Sequence, residues 1–161
     1  MAAQKILVVA STFPASNGDP VPAFVKDQVI TMKKLYPDMH FSVLAPHDRR
    51  SYTKAFTTHA LYDEYRFHYF WPFFAEKLAG RGIMPALKKN PFNYILIPFF
   101  FIGEFFALLK LARNLKPDVL YAHWFTPQAI NSRWVGRLTK TPFVFTTHAA
   151  DVDVWHKIPL V

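Results

Sequence analysis

Residues 116–153 read KPDVLYAHWFTPQAINSRWVGRLTKTPFVFTTHAADVD, and the fold turns on this stretch. Two short apolar runs stand in it, VLYA at 119–122 and FVFT at 143–146, with Pro117 and Pro142 just ahead of them. Runs this short and this rich in β-branched and aromatic side chains predict buried strands rather than helices. Between them, residues 127–138 carry Ile130, Trp134, Val135 and Leu138 at helical spacing. Strand, helix, strand in that order makes a right-handed crossover between parallel neighbours. His123 follows the first strand and His148 the second. Parallel strands bring both C-terminal ends to one sheet edge, where open α/β sheets bind ligands.

The pattern extends toward the N-terminus. Residues 5–10, KILVVA, predict a first buried strand. The apolar run is shorter than the roughly 7–15 residues of an export signal, so a cytoplasmic address is expected. The exit from this strand, STFPASNGDPVP at 11–22, is broken by proline and glycine and is longer than a connection needs. It opens toward the ligand edge, which makes Asn17, Gly18 and Asp19 candidate substrate contacts; a plain strand-to-helix connection is the alternative. Neither a dinucleotide fingerprint nor a Walker A loop is present.

A helix is expected over 23–35, with Val25, Val29, Met32 and Tyr36 forming one core-facing stripe, then a strand at 41–45 ended by Pro46. The polar segment His47-Asp48-Arg49-Arg50 reads as a solvated loop, with anion binding as the alternative. Residues 61–71 alternate as a strand does; His68 within them reads as a solvated or core-edge histidine, with a ligand-edge residue as the alternative. Residues 75–98 are expected to be irregular. Residues 95–115, ILIPFFFIGEFFALLKLARNL, predict a helix apolar almost all round, covered on more than one face. Burial in the domain is the first reading of this helix and contact with lipid the second. A membrane span is disfavoured by Glu104, since a charge at mid-membrane costs roughly 2.5–3.5 kcal/mol on the insertion scale.

Composition sets bounds. A chain of 161 residues that is 52% hydrophobic is long enough for one domain with a real core. The absence of cysteine excludes disulfides, thiolate metal sites and cysteine nucleophiles. A net charge of +8 suits an anionic partner such as nucleotide phosphates or a phospholipid surface, or a solvated basic face. Nucleic acid is not expected, because no basic-aromatic or zinc-finger motif accompanies the charge. No metal site is expected either, since His123 has no carboxylate at ligand spacing.

The fold class is therefore α/β: a doubly wound, Rossmann-like, mostly parallel sheet of five strands, ordered 3-2-1-4-5 with the crevice between strands one and four. In that frame Pro117-Asp118-Val119-Leu120-Tyr121-Ala122-His123-Trp124, followed by Thr146-Thr147-His148-Ala149-Ala150-Asp151-Val152, resembles the N-terminal half of glycosyltransferase family 4. The first strand with its loop and the segment Tyr65-Arg66-Phe67-His68-Tyr69-Phe70-Trp71-Pro72 fit the same pattern. The family usually writes its second motif His-Gly-small-Asp; Ala149 stands in the glycine place.

The resemblance implies one half of a two-domain, B-type, retaining glycosyltransferase. Residues 1–161 would be the acceptor-side domain, and a C-terminal donor-binding domain lies outside this chain. His148 would sit beside the transferred sugar, with Asn17, Gly18, Asp19, His123, Trp124 and Asp151 lining the substrate cleft. His148 as a helix-capping residue, Asp151 as a cap and Trp124 as a core side chain are the structural alternatives. No cofactor is expected on this half, and a nucleotide-sugar donor is expected in the complete enzyme. The acceptor would be a sugar, a polysaccharide or a lipid-linked molecule, and the address cytoplasmic or peripheral at the inner membrane face. A non-catalytic binding or membrane-docking module that kept the fold without its partner domain is the competing function.

Overall fold

The computed structural model describes residues 4–15, 19, 21–48, 54–79 and 83–148. Six strands and four α-helices are described in the order β1 (Lys5–Val9), α1 (Phe24–Leu35), β2 (His40–Pro46), β3 (Phe56–Thr58), β4 (Asp63–Phe67), α2 (Ile83–Lys89), α3 (Leu96–Leu115), β5 (Val119–His123), α4 (Ile130–Thr139) and β6 (Phe143–Thr146). The strands form one sheet ordered β3-β4-β2-β1-β5-β6. All pairings are parallel except β3 with β4. The five parallel strands thus take the expected 3-2-1-4-5 order. The short antiparallel β3 at the edge was not anticipated, and its three residues carry too little alternation to announce a strand.

The sheet is wound on both faces because its central strand is apolar on both. In β1, Leu7 and Val9 join a core with Leu44, Phe67, Phe100, Leu108, Leu120 and Val135. Ile6 and Val8 join the opposite core with Val25, Val29, Phe41 and Val43. Successive strand side chains point to opposite faces, so the unbroken run ILVV requires cover on both. Helix α1 covers the second face, and α2, α3 and α4 cover the first.

Three expectations about helix faces need correction. Tyr36, assigned to the α1 stripe, is exposed; it lies past the last helical residue, where the chain turns out of the helix. Trp134 and Leu138 of α4 are exposed as well, and the buried face carries Asn131, Ser132, Val135 and Gly136. Small residues let the helix sit close: a Cβ at Gly136 would stand 2.6 Å from the Thr141 carbonyl oxygen. Helix α3 buries one stripe only, Leu96, Phe100, Glu104, Leu108 and Ala112, while Phe99, Ile102 and Phe106 face outward. The segment Pro91–Leu115 is long and apolar enough, by length and composition, to cross a membrane. The stretch expected to be irregular before it holds α2, whose Pro85 falls in the first turn, where proline is tolerated.

Candidate functional site

Every parallel strand delivers its C-terminal end to one edge, and the chain has placed a histidine after four of them. His47 follows β2, His68 follows β4, His123 ends β5 and His148 follows β6. Because β2 lies beside β4 and β5 beside β6, the four fall into two pairs.

The β5–β6 pair was expected. His123 Nδ1 lies 3.3 Å from His148 Nε2, and the rings are nearly parallel at 5.5 Å. His148 also meets Trp124, with ring centroids 4.5 Å apart, and Phe24 at the start of α1, at 4.8 Å. Phe24 brings the end of the strand-one loop to this cluster and was missed in the sequence, where it reads as an ordinary apolar residue opening a helix. His123 is 1% exposed. Burial first, and the facing His148 second, push its imidazole down to about 4, so His123 is neutral at physiological pH.

The backbone beside this pair is strained. Trp124 adopts φ 83°, ψ 144°, a conformation that costs a non-glycine residue on the order of 1–3 kcal/mol and that concentrates at functional sites. Among the described residues, four buried side-chain atoms lack a hydrogen-bond partner: His123 Nε2, Trp124 Nε1, Gln128 Oε1 and Ser132 Oγ. Buried polar atoms in native folds are nearly always paired, and all four of these fall within the ten residues that leave β5.

The strand-one loop is built differently from expectation. Both carboxylate oxygens of Asp19 accept backbone amides of the loop itself, from Ala15 and Val21, each at 3.1 Å. In this structure Asp19 therefore shapes the loop. Asn17, Gly18 and Asp151 lie outside the described residues. The loop is clamped from below by the buried Arg66, which donates to the carbonyl oxygens of Phe13, Pro14 and Pro46 and to Glu64.

Behind the β5 turn, Glu104 is fully buried and accepts from Gln128 Nε2 at 2.8 Å and Asn131 Nδ2 at 2.9 Å. Burial pushes its carboxyl from 4.5 up to about 7, with the bonds from Asn131 and Gln128 opposing. Between those values the folded chain keeps a proton that the unfolded chain releases, so this contribution to stability is lost as pH rises. His123 acts with the opposite sign: lowered from 6.5 to about 4, its contribution is lost as pH falls through that window. Each amounts to at most about 3 kcal/mol. Glu104→Gln should remove one slope and leave the other. The variant is expected to gain on the parent by up to about 3 kcal/mol between pH 5 and pH 8, read from urea midpoints. A pH-independent difference between the two proteins would contradict the assignment.

Comparisons with known proteins bear on this edge. A family model described as glycosyl transferase 4-like matches residues 76–160. The structure of sucrose-phosphate synthase from Thermosynechococcus elongatus aligns over 98% of the chain with a TM-score of 0.52 at 12% identity, which speaks to the fold. A second sucrose-phosphate synthase structure from that organism aligns over 93% of the chain and 66% of its own, at 10% identity and TM-score 0.48. The chain spans 36% of the length of the first. None of the curated protein sequences matches. The family model covers more than half of the chain, including β5, β6 and the two histidines between which the candidate site is built. The chain belongs to the glycosyl transferase 4-like family.

Proposed function

We propose that this chain is the acceptor-side domain of a retaining glycosyltransferase that moves a sugar from a nucleotide-sugar donor to a sugar, polysaccharide or lipid-linked acceptor. The observation that carries the reading is the convergence of His148, His123, Trp124 and Phe24 at the C-terminal edge of the sheet, where β5 and β6 fall within the family match. His148 donates to hydroxyls of the transferred sugar. The neutral His123 holds that ring in place, and the buried, unpartnered Nε1 of Trp124 and Nε2 of His123 lie just beneath it. A second, donor-binding domain supplies the nucleotide site, and no cofactor is held by this half. Strand β6 ends the described sheet with Val144 and Phe145 exposed, beside a hollow of about 320 Å³ lined by Phe125, Trp134 and Phe143 among others. An apolar sheet edge of this kind invites cover, and further chain packing there fits the two-domain reading.

The test is transfer and donor hydrolysis across a panel of nucleotide sugars. The 161-residue chain alone is expected to be silent, and the same chain joined to a donor-binding domain active. Turnover by the isolated chain, or silence of the complete protein on every donor, would contradict the proposal.

The outward face of α3 and of the turn before it favours a second reading, membrane docking; a peripheral address at the inner membrane face goes with that reading. Phe92, Ile95, Phe99, Ile102 and Phe106 are exposed together, flanked by Lys88 and Lys89 at the end of α2. Apolar side chains bordered by lysines suit an anionic lipid interface. Sedimentation of the protein with anionic vesicles, released by high salt, is the expected behaviour.

A further inference from the structure

We propose that the second histidine pair, with Glu76, forms a binding site for a divalent transition metal, zinc by preference. Pro46 and Phe67 are partners in the β2–β4 ladder, and His47 N donates to Phe67 O at 2.8 Å. The next residues, His47 and His68, therefore leave the sheet side by side, with ring centroids 4.2 Å apart. The chain then runs through a 3-10 turn at Phe73–Ala75 and returns Glu76 between them. His47 Nδ1 lies 2.6 Å and His68 Nδ1 3.0 Å from the same oxygen, Glu76 Oε2. One ligand atom from each of the three residues falls within 4.8 Å of the others.

Two imidazoles and one carboxylate are a donor set that zinc takes with open positions remaining. Ligand atoms on a tetrahedral zinc stand about 3.3 Å apart; the His68 contact to Oε2 is close to that spacing at 3.0 Å, and the His47 contact at 2.6 Å must open by about 0.7 Å to admit the ion. The carboxylate is itself hydrogen-bonded, as metal-ligating carboxylates usually are. The other carboxylate oxygen, Oε1, accepts the backbone amides of Tyr69 at 2.6 Å and Phe70 at 3.1 Å, which fixes the carboxylate plane. The His68 ring stacks on Phe73 at 3.8 Å. Helix α3 presses on the same backbone, where a Cβ at Gly103 would stand 3.0 Å from the His68 carbonyl oxygen. Glu76 is 1% exposed, whereas the His68 side chain is 35% exposed, so solvent reaches one side and an oxygen ligand can complete the shell. The site lies on the ligand-binding edge of the sheet and clasps the segment after β4 to the end of β2.

The experiment is a zinc titration of chelator-treated protein, read by calorimetry and melting temperature, with cobalt as a spectroscopic probe of nitrogen–oxygen ligation. The expected result is one equivalent bound, and a melting-temperature rise of about 5–10 °C at free zinc a hundredfold above its Kd. His68→Ala and Glu76→Gln should each weaken binding at least about tenfold. The glutamine keeps an oxygen for the two amides, so loss of binding there is separable from loss of fold by circular dichroism. His148→Ala should bind zinc as the parent does. Absence of a tight equivalent in the parent would overturn the proposal and leave a hydrogen-bonded His–Glu–His cluster. Undiminished binding in both folded ligand variants would assign the zinc elsewhere and overturn it equally.

Discussion

Arg66→Ala is expected to cost the fold about 3–5 kcal/mol, the usual consequence of removing one member of a buried ion pair. The side chain is 2% exposed and its Nε stands 2.6 Å from Glu64 Oε1. Truncation leaves the Glu64 carboxylate buried with His59, at 2.9 Å, as its one remaining side-chain partner among the described residues. It also strips donors from the carbonyl oxygens of Phe13, Pro14 and Pro46, which belong to the strand-one loop and the end of β2. An entire domain of this kind is stable by roughly 5–15 kcal/mol, so the loss takes a large share. Arg66→Lys should recover only part of it, because an ammonium lacks the planar fork that serves Glu64 and three carbonyls at once. Urea denaturation followed by circular dichroism measures the effect; a cost below about 1 kcal/mol would show that the clamp contributes no more than a surface pair.

The sheet was legible because its strands are short apolar runs cut off by proline, and because sequence order with crossover handedness leaves few topologies. His123 and His148 were legible for the same reason: each stands at or just past the C-terminal end of a strand. The identical signal at His47 and His68 was passed over. His47 was read as part of a solvated loop and His68 as solvated or core-edge, since the pairing of β2 with β4 acquires chemical meaning only once Glu76 comes back between them. That return depends on a 3-10 turn among aromatic residues that no periodicity announces. The face of α4 was misread because its buried residues are small or polar. Asn131 turns inward to meet Glu104, and Gly136 turns inward to let the chain close on Thr141, while Trp134 and Leu138 are left in solvent. Asp19 was read as a substrate contact from its place in the chain, yet its two oxygens are taken by the loop that carries it. For Asn131 and the two histidines a tertiary partner, invisible along the chain, decided the side chain's direction; for Asp19 it was the local amides of Ala15 and Val21.

The second large effect is expected at His148. It packs against His123, Trp124 and Phe24 where the ends of β5 and β6 meet the start of α1, and in the proposed function it donates to the transferred sugar. A preorganised donor removed from such a site typically lowers turnover by about 10²–10³-fold. The stability cost should be small by comparison, because His148 lies past the last strand and is only partly buried. His123, fully buried beneath it, should behave the other way, with replacement by alanine costing stability as well as turnover. The most direct measurement is therefore kcat and melting temperature, determined together, for His148→Ala in the two-domain enzyme the proposed function calls for, with the nucleotide sugar it turns over best. The account predicts turnover reduced by about a hundredfold or more with the melting temperature held within a few degrees. A folded His148→Ala enzyme with undiminished turnover, or one that loses activity only because it no longer folds, would contradict it.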